Sequence, residues 1–264
     1  MTKPFNWKIF LILTTAAALG LIAIIPYALA LQAGTLKQAV LPLPLALLIS
    51  IQILAQVLFF GIVIAIGLFF ANRIGLGLPI LEALIKHEPV SAKLRAIVPI
   101  SVVLGILASL LIIGLDLYFF HPALVAELGS RASVLSSAQA ATPAAWKGLL
   151  ASFYGAFDEE ILLRLCAMSG LAWLGRLISK TADGRPTTAV FWTANILAAI
   201  LFGLGHLPAT LLILPLTPLV VLRAIVLNGL AGVAFGYLYF TRGLESAMLS
   251  HFTCDLILHV LFAL

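Results

Sequence analysis

Seven apolar runs, each long enough to cross a bilayer, occupy most of this chain and constrain its fold more than any motif. They lie at about 9–31, 43–70, 96–120, 147–175, 188–207, 219–240 and 244–264. A span needs about 20 predominantly apolar residues, and in lipid every backbone N–H and C=O must be satisfied within the structure, so runs this long and continuous read as helices. Strands of a membrane barrel would show alternating segments of about ten residues. Hydrophobic residues make up 63% of the 264 and charged residues 9%, with a mean hydropathy of +1.19, which excludes a soluble domain. The expected fold is all-α: a single membrane domain over residues 1–264, built as a polytopic transmembrane helical bundle of seven to eight membrane helices. The eighth element would come from 207–218, which holds Pro208, Pro215 and Pro218 and no charge, and reads as a short, partly buried or re-entrant piece.

Charges between the runs set an orientation. With the N-terminus in the cytoplasm, Lys3, Lys8, Arg73, Lys86, Lys93, Arg95, Arg176, Lys180, Arg185 and Arg242 fall inside and Lys37, Arg131 and Lys147 outside, a ten-to-three bias. Seven crossings then leave the C-terminus outside; in a prokaryote the host membrane would be the cytoplasmic, or inner, membrane. The first run is too long for an ordinary signal core and is kept as a membrane helix. Pro26, Pro42 and Pro44 mark kinks or boundaries. Segment 71–95 reads as a cytoplasmic interfacial helix around its apolar centre, 76–85, and 121–146, rich in Ala and Ser, as an external connection. The formal charge of +5 is scattered over span ends and forms no basic patch, which argues against a nucleic-acid partner. Cys166 and Cys254 lie within apolar runs and read as packing residues.

Against this background six ionisable residues stand out: Glu159, Glu160, Arg164, His206, His251 and Asp255. Such groups at membrane depth are costly and mark functional cavities. Glu160 and Arg164 are four apart with the acid first, the favourable order for a helical ion pair. Glu159 points about 100° away from Glu160, so the two glutamates have different tasks: Glu160 with Arg164 as a supporting pair, Glu159 facing a water-filled cavity. Phe202 and His206 share a face on the fifth run, with Gly203 and Gly205 between them to admit a neighbouring helix. His251 and Asp255 are one turn apart on the last run; His259, a turn further, reads as core. Counted at 1.5 Å per residue from the nearest cytoplasmic charge, Glu159 lies about 25 Å from Arg176, His206 about 31 Å from Arg185 and His251 about 13 Å from Arg242, so straight, untilted helices would hold them at different levels.

Chemically, Glu159 and His206 suit a water held between them, one taking its proton and the other orienting it, while His251 and Asp255 suit stabilisation of an oxyanion. The same four side chains are acceptable zinc ligands, although no His-Glu-x-x-His arrangement is present, so zinc is allowed and not demanded. Two other classes use the same residues: a proton- or ion-coupled transporter, and a non-enzymatic immunity or scaffold protein.

The motifs resemble those of the CPBP intramembrane proteases, also called the Abi or type II CAAX prenyl endopeptidase family. Glu159-Glu160-x-x-x-Arg164 resembles the paired-glutamate motif, Phe202-x-x-x-His206 the second motif and His251-x-x-x-Asp255 the third, in the family order. The resemblance covers residues 146–264, which it marks as a CPBP/Abi-like catalytic core, leaving 1–145 as N-terminal helices of unassigned role. It implies an intramembrane endopeptidase, glutamate-dependent or metal-dependent, in which the residues matching Glu159 and His206 activate water and those matching His251 and Asp255 stabilise the oxyanion. Its substrate would be a membrane-associated peptide or lipidated protein, either CAAX-like or linked to bacteriocin immunity. An aspartate stands at 255 where prenyl-processing members typically carry asparagine, so hydrogen-bond donation there requires a proton on Asp255 or a role through His251.

Overall fold

The computed structural model describes residues 5–38, 40, 42–128 and 143–262. Among them the chain forms eight principal helices: α1 (Trp7–Leu31), α2 (Leu45–Ile74), α3 (Pro79–Ile85), α4 (Ser91–Leu128), α5 (145–175), α6 (Thr188–Leu211), α7 (Pro218–Arg242) and α8 (244–261). A short helix, Ala33–Gln38, follows α1. Five of them, α1, α2, α4, α6 and α7, are long and apolar enough to cross a membrane. Helices α5 and α8, also read as spans from the sequence, hold the polar residues and are interrupted by wide π-helical turns at Gly155–Glu159, Ile161–Met168 and Leu256–Leu261. The only β pairing among the described residues is one bridge, Lys180 to Pro186. It closes a polar loop in which the Thr181 hydroxyl bonds to Asp183 and holds that carboxyl below its ordinary range.

Helix ends follow local chemistry. Asn6 accepts from the amides of Lys8 and Ile9 to cap α1, and Thr187 and Thr217 cap α6 and α7 from Val190 and Val220. Helix α1 breaks at Ile24 ahead of Pro26, which lacks an N–H, and α2 begins after Pro44 and ends at Gly75 in the left-handed conformation. The proline-rich stretch after His206 adds no further span: Leu207–Leu211 continues α6 and a short turn leads into α7. Sequence placed the start of an external connection at 121, whereas helix persists to Leu128 through a wide turn at Asp116–Phe120. The remainder of that connection, 129–142 with Arg131, lies outside the described residues, as does Lys3.

The outside of the bundle is apolar. Along α2, Leu47, Ile51, Leu54, Leu58, Ile62, Ile66 and Phe69 are exposed at helical spacing, while Phe60, Ile64, Leu68, Ala71 and Ile74 are buried. A helix apolar on both faces belongs in a membrane, and the chain is an integral membrane protein. Inside, small residues let backbones meet: Gly67 of α2 abuts the Leu165 backbone of α5, and Gly203 of α6 abuts Ile225 of α7. Gly205 meets nothing, so of the two glycines expected to admit a neighbour only Gly203 does so.

Arg176 and Arg185 both turn back onto the carbonyl end of α2, bonding the oxygens of Arg73 (3.2 Å) and Ile74 (3.4 Å). Both arginines therefore lie at one level, the carbonyl end of α2.

Candidate active site

The site lies where α5, α6, α7 and α8 converge. Glu160 is its pivot. One oxygen lies 2.8 Å from His251 Nδ1 and the other 3.4 Å from Arg164 Nε, with all three side chains almost wholly buried. Arg164 also donates from Nη2 to the carbonyl oxygen of Gly232 on α7 at 3.0 Å. Its guanidinium lies over the rings of Phe202 (4.8 Å) and Phe235 (5.6 Å). A charge this deep is tolerable only when paired and hydrogen-bonded, and this one has a carboxylate, a carbonyl and two π faces. The pairing expected from the i, i+4 spacing is present, and it reaches one residue further than expected, to His251.

His251 is fixed on every side. Phe235 stacks on it at 4.5 Å and 19°, and the edge of Phe202 meets it at 5.5 Å and 81°. With Nδ1 turned to Glu160, its other nitrogen, Nε2, faces Glu159 Oε2 at 3.6 Å and Asp255 Oδ1 at 3.5 Å. Gly155 makes this approach possible: a Cβ there would fall 3.0 Å from His251 Nε2 and closer still to Asp255 Oδ2. The wide turn at Gly155–Glu159 presents Glu159 and the bare backbone of Gly155 together to α8.

His206 caps the last full turn of α6, its Nδ1 2.8 Å from the Phe202 carbonyl oxygen. A carbonyl only accepts, so Nδ1 carries the hydrogen and Nε2 keeps the lone pair in the neutral ring. The ring meets Phe202 edge-on at 4.8 Å and lies within electrostatic reach of Asp255. Thus the structure joins Glu159, Glu160, Arg164, His251 and Asp255 by direct contact, and brings His206 in through Phe202. Among the described residues the polar partner of Glu159 is His251, not His206.

Exposure divides the cluster. The Glu159 side chain is 23% exposed and that of Asp255 13%, against 4% for His251, 0% for Glu160 and 1% for Arg164. His206 is partly exposed as well. Accessible groups therefore sit above a closed platform. As ligands, the four candidate residues offer two imidazoles and two carboxylates, but among the described residues no group of three or more His, Cys, Asp and Glu is arranged to hold a metal ion. Both Nδ1 atoms already have protein partners, which leaves the Nε2 atoms and the two carboxylates for any ion.

Sequence reasoning missed two residues here. Phe235 could have been suspected from its place between Gly232 and Gly236, small residues that bring α7 close to α6. Asp158 belongs to the same acidic run as the glutamates, yet it faces the other way, wholly buried against Gly20 of α1 with no hydrogen-bond partner among the described residues. His259 packs edge-on to Tyr27 at 5.9 Å, and both cysteines are free thiols. Two cavities lie elsewhere: one of about 280 Å³ beside α3, lined by Asn6, Asn72 and Lys86 among others, and an open apolar groove of about 400 Å³ along α1, lined also by Phe157.

No curated protein and no solved structure matches the chain. Residues 140–257, rather less than half of it, match the family described as type II CAAX prenyl endopeptidase Rce1-like, and the matched stretch contains all three motifs and both sides of the cluster. Over that segment the chain is similar to the CAAX-type endopeptidases, and the match supports the CPBP family that its three motifs resemble.

Proposed function

We propose that this protein hydrolyses a peptide bond of a membrane-associated, CAAX-like lipidated protein, with Glu159 as the general base. The observation that carries this reading is the division of the cluster into accessible Glu159 and His206 and a buried platform of Glu160, Arg164 and His251, with Asp255 at its edge. A base must reach water; the groups that orient it need not.

Water bound between Glu159 and His206 donates one hydrogen to the carboxylate and the other to His206 Nε2, the nitrogen left free by the bond to Phe202. Its oxygen attacks the carbonyl carbon as Glu159 takes the proton. The carbonyl becomes an oxyanion, stabilised by the Nε2–H of a doubly protonated His251, whose Nδ1–H donates to Glu160 and whose ring Phe202 and Phe235 hold in place. Asp255, directed at that Nε2, acts through His251, which accommodates an aspartate where related prenyl-processing enzymes carry asparagine. Collapse of the oxyanion breaks the C–N bond, and Glu159 returns its proton to the departing amine. The N-terminus is assigned to the cytoplasm, on the charge bias and on the gathering of Arg73, Arg176 and Arg185 at one end of the bundle.

The test is cleavage of a farnesylated CAAX peptide by purified protein in lipid nanodiscs, with Glu159→Ala and His206→Ala as comparisons. Equal turnover by wild type and Glu159→Ala would sink the mechanism. Loss of turnover on chelation, restored by zinc with stoichiometric binding, would move it to the metal-dependent form. Ion or proton flux in sealed vesicles without any cleavage would return the chain to the transporter class.

A further inference from the structure

We infer that Glu245 is a positioning residue for the active site, tying the helix that carries His251 and Asp255 to elements of the N-terminal half. The inference rests on the reading of those two residues as part of the site.

Three consecutive residues at the start of α8 are each bound to a different place between 77 and 101. The Leu244 amide donates to the Gly77 carbonyl oxygen at 3.1 Å. Glu245 Oε1 accepts from the amides of Ile80 (3.0 Å) and Leu81 (2.9 Å). The Ser246 hydroxyl pairs with that of Ser101 on α4 at 2.7 Å, both fully buried. Just before them Gly243, at φ 98°, takes a backbone conformation that favours glycine and packs on Pro79. One turn later Gly105 of α4 abuts the Ser250 carbonyl, next to His251.

A helix is ordinarily capped by a residue adjacent to it in sequence. The cap of α3 instead comes from 165 and 164 residues away, so the bond that satisfies α3 also sets the height and rotation of α8. His251 follows Glu245 by six residues, about 9 Å along a rigid helix, and a shift at the first turn is carried to its ring. That ring has little room: Glu160, Glu159, Asp255, Phe202 and Phe235 surround it. Every partner in the clasp lies outside the family-matched residues 140–257. The N-terminal half, for which the motifs offered no task, thereby acquires one.

The experiment combines turnover of a farnesylated CAAX peptide with amide hydrogen exchange on wild type, Glu245→Ala and Glu245→Gln in nanodiscs. Glu245→Ala is expected to expose the Ile80 and Leu81 amides, to raise exchange around His251–Asp255, and to lower kcat by about 10- to 100-fold with KM within about threefold, as a misplacement of about 1 Å does. Glu245→Gln keeps an oxygen acceptor and is expected to restore both readouts to within about threefold of wild type. Exchange around 250–255 unchanged in Glu245→Ala, with kcat intact, overturns the inference, and so does failure of Glu245→Gln to rescue. If Glu245→Ala does not fold, Ser246→Ala takes its place with the same expected split of kcat from KM, and an unchanged kcat there overturns the inference equally. If wild type cleaves nothing, the proposed activity fails while the exchange pattern still decides the clasp.

Discussion

The inner and outer sides of the polar cluster are built on different terms. On the inner side Glu160 lies between His251 and Arg164, Arg164 also bonds the Gly232 carbonyl, two aromatic rings cover the guanidinium, and only His251 Nε2 turns toward the outer side. On the outer side Glu159, Asp255 and His206 each keep at least one polar atom that the protein does not fully engage, and all three retain some contact with solvent or lipid. Two glutamates adjacent in sequence therefore differ in what their loss should do. Removing an inner group leaves a buried charge unpaired, whereas removing an outer group leaves the fold alone and takes away a reactant.

Four substitutions would break or sharpen that contrast. The largest effect is expected for Glu159→Ala, with peptide turnover falling by about 10²- to 10⁴-fold, the range of a lost general base, while the thermal unfolding midpoint stays near that of wild type. Arg164→Ala should do the reverse kind of damage, destabilising the protein by about 3–5 kcal/mol because Glu160 is left buried and uncompensated; folded yield and thermal unfolding in detergent report it. Gly155→Ala is next, since its Cβ would press on His251 and Asp255: turnover is expected to drop by about 10-fold or more with a smaller stability loss, read from paired kinetic and unfolding assays. Asp255→Asn should be mildest, within about fivefold of wild-type kcat, because the amide keeps an oxygen facing His251 Nε2. A collapse of folding in Glu159→Ala, or full activity in a stable Arg164→Ala, would erase the distinction between the two sides.

Contacts within one helical turn were legible in the sequence, and contacts between distant segments were not. The Glu160–Arg164 pair and the divergence of Glu159 from Glu160 follow from helical spacing alone. The bond from Glu160 to His251 spans 91 residues, and no local pattern announces it. Arg223, within the run at 219–240, shows the same limit: it pairs through Nε and Nη2 with Asp116 on α4, at 2.6 and 2.8 Å, 107 residues away. The wide turns were invisible for another reason. An amphipathic pattern is read with a period of 3.6, and a segment whose neighbours are apolar on all sides gives no contrast from which a longer period could be noticed.

The wide turns at 155–168 also bear on how this site can be gained or lost over evolutionary time. A π-turn is an α-helix with a residue inserted, absorbed locally so that the helix on either side keeps its seating. Shortening such a run by one residue closes the turn to ordinary pitch without unseating the flanking segments at 145–154 and 169–175. The bundle would persist while the bearings of Glu159 and Glu160 toward α8 change. A single-codon deletion there is expected to keep the shape of the bundle while taking the two glutamates out of reach of His251.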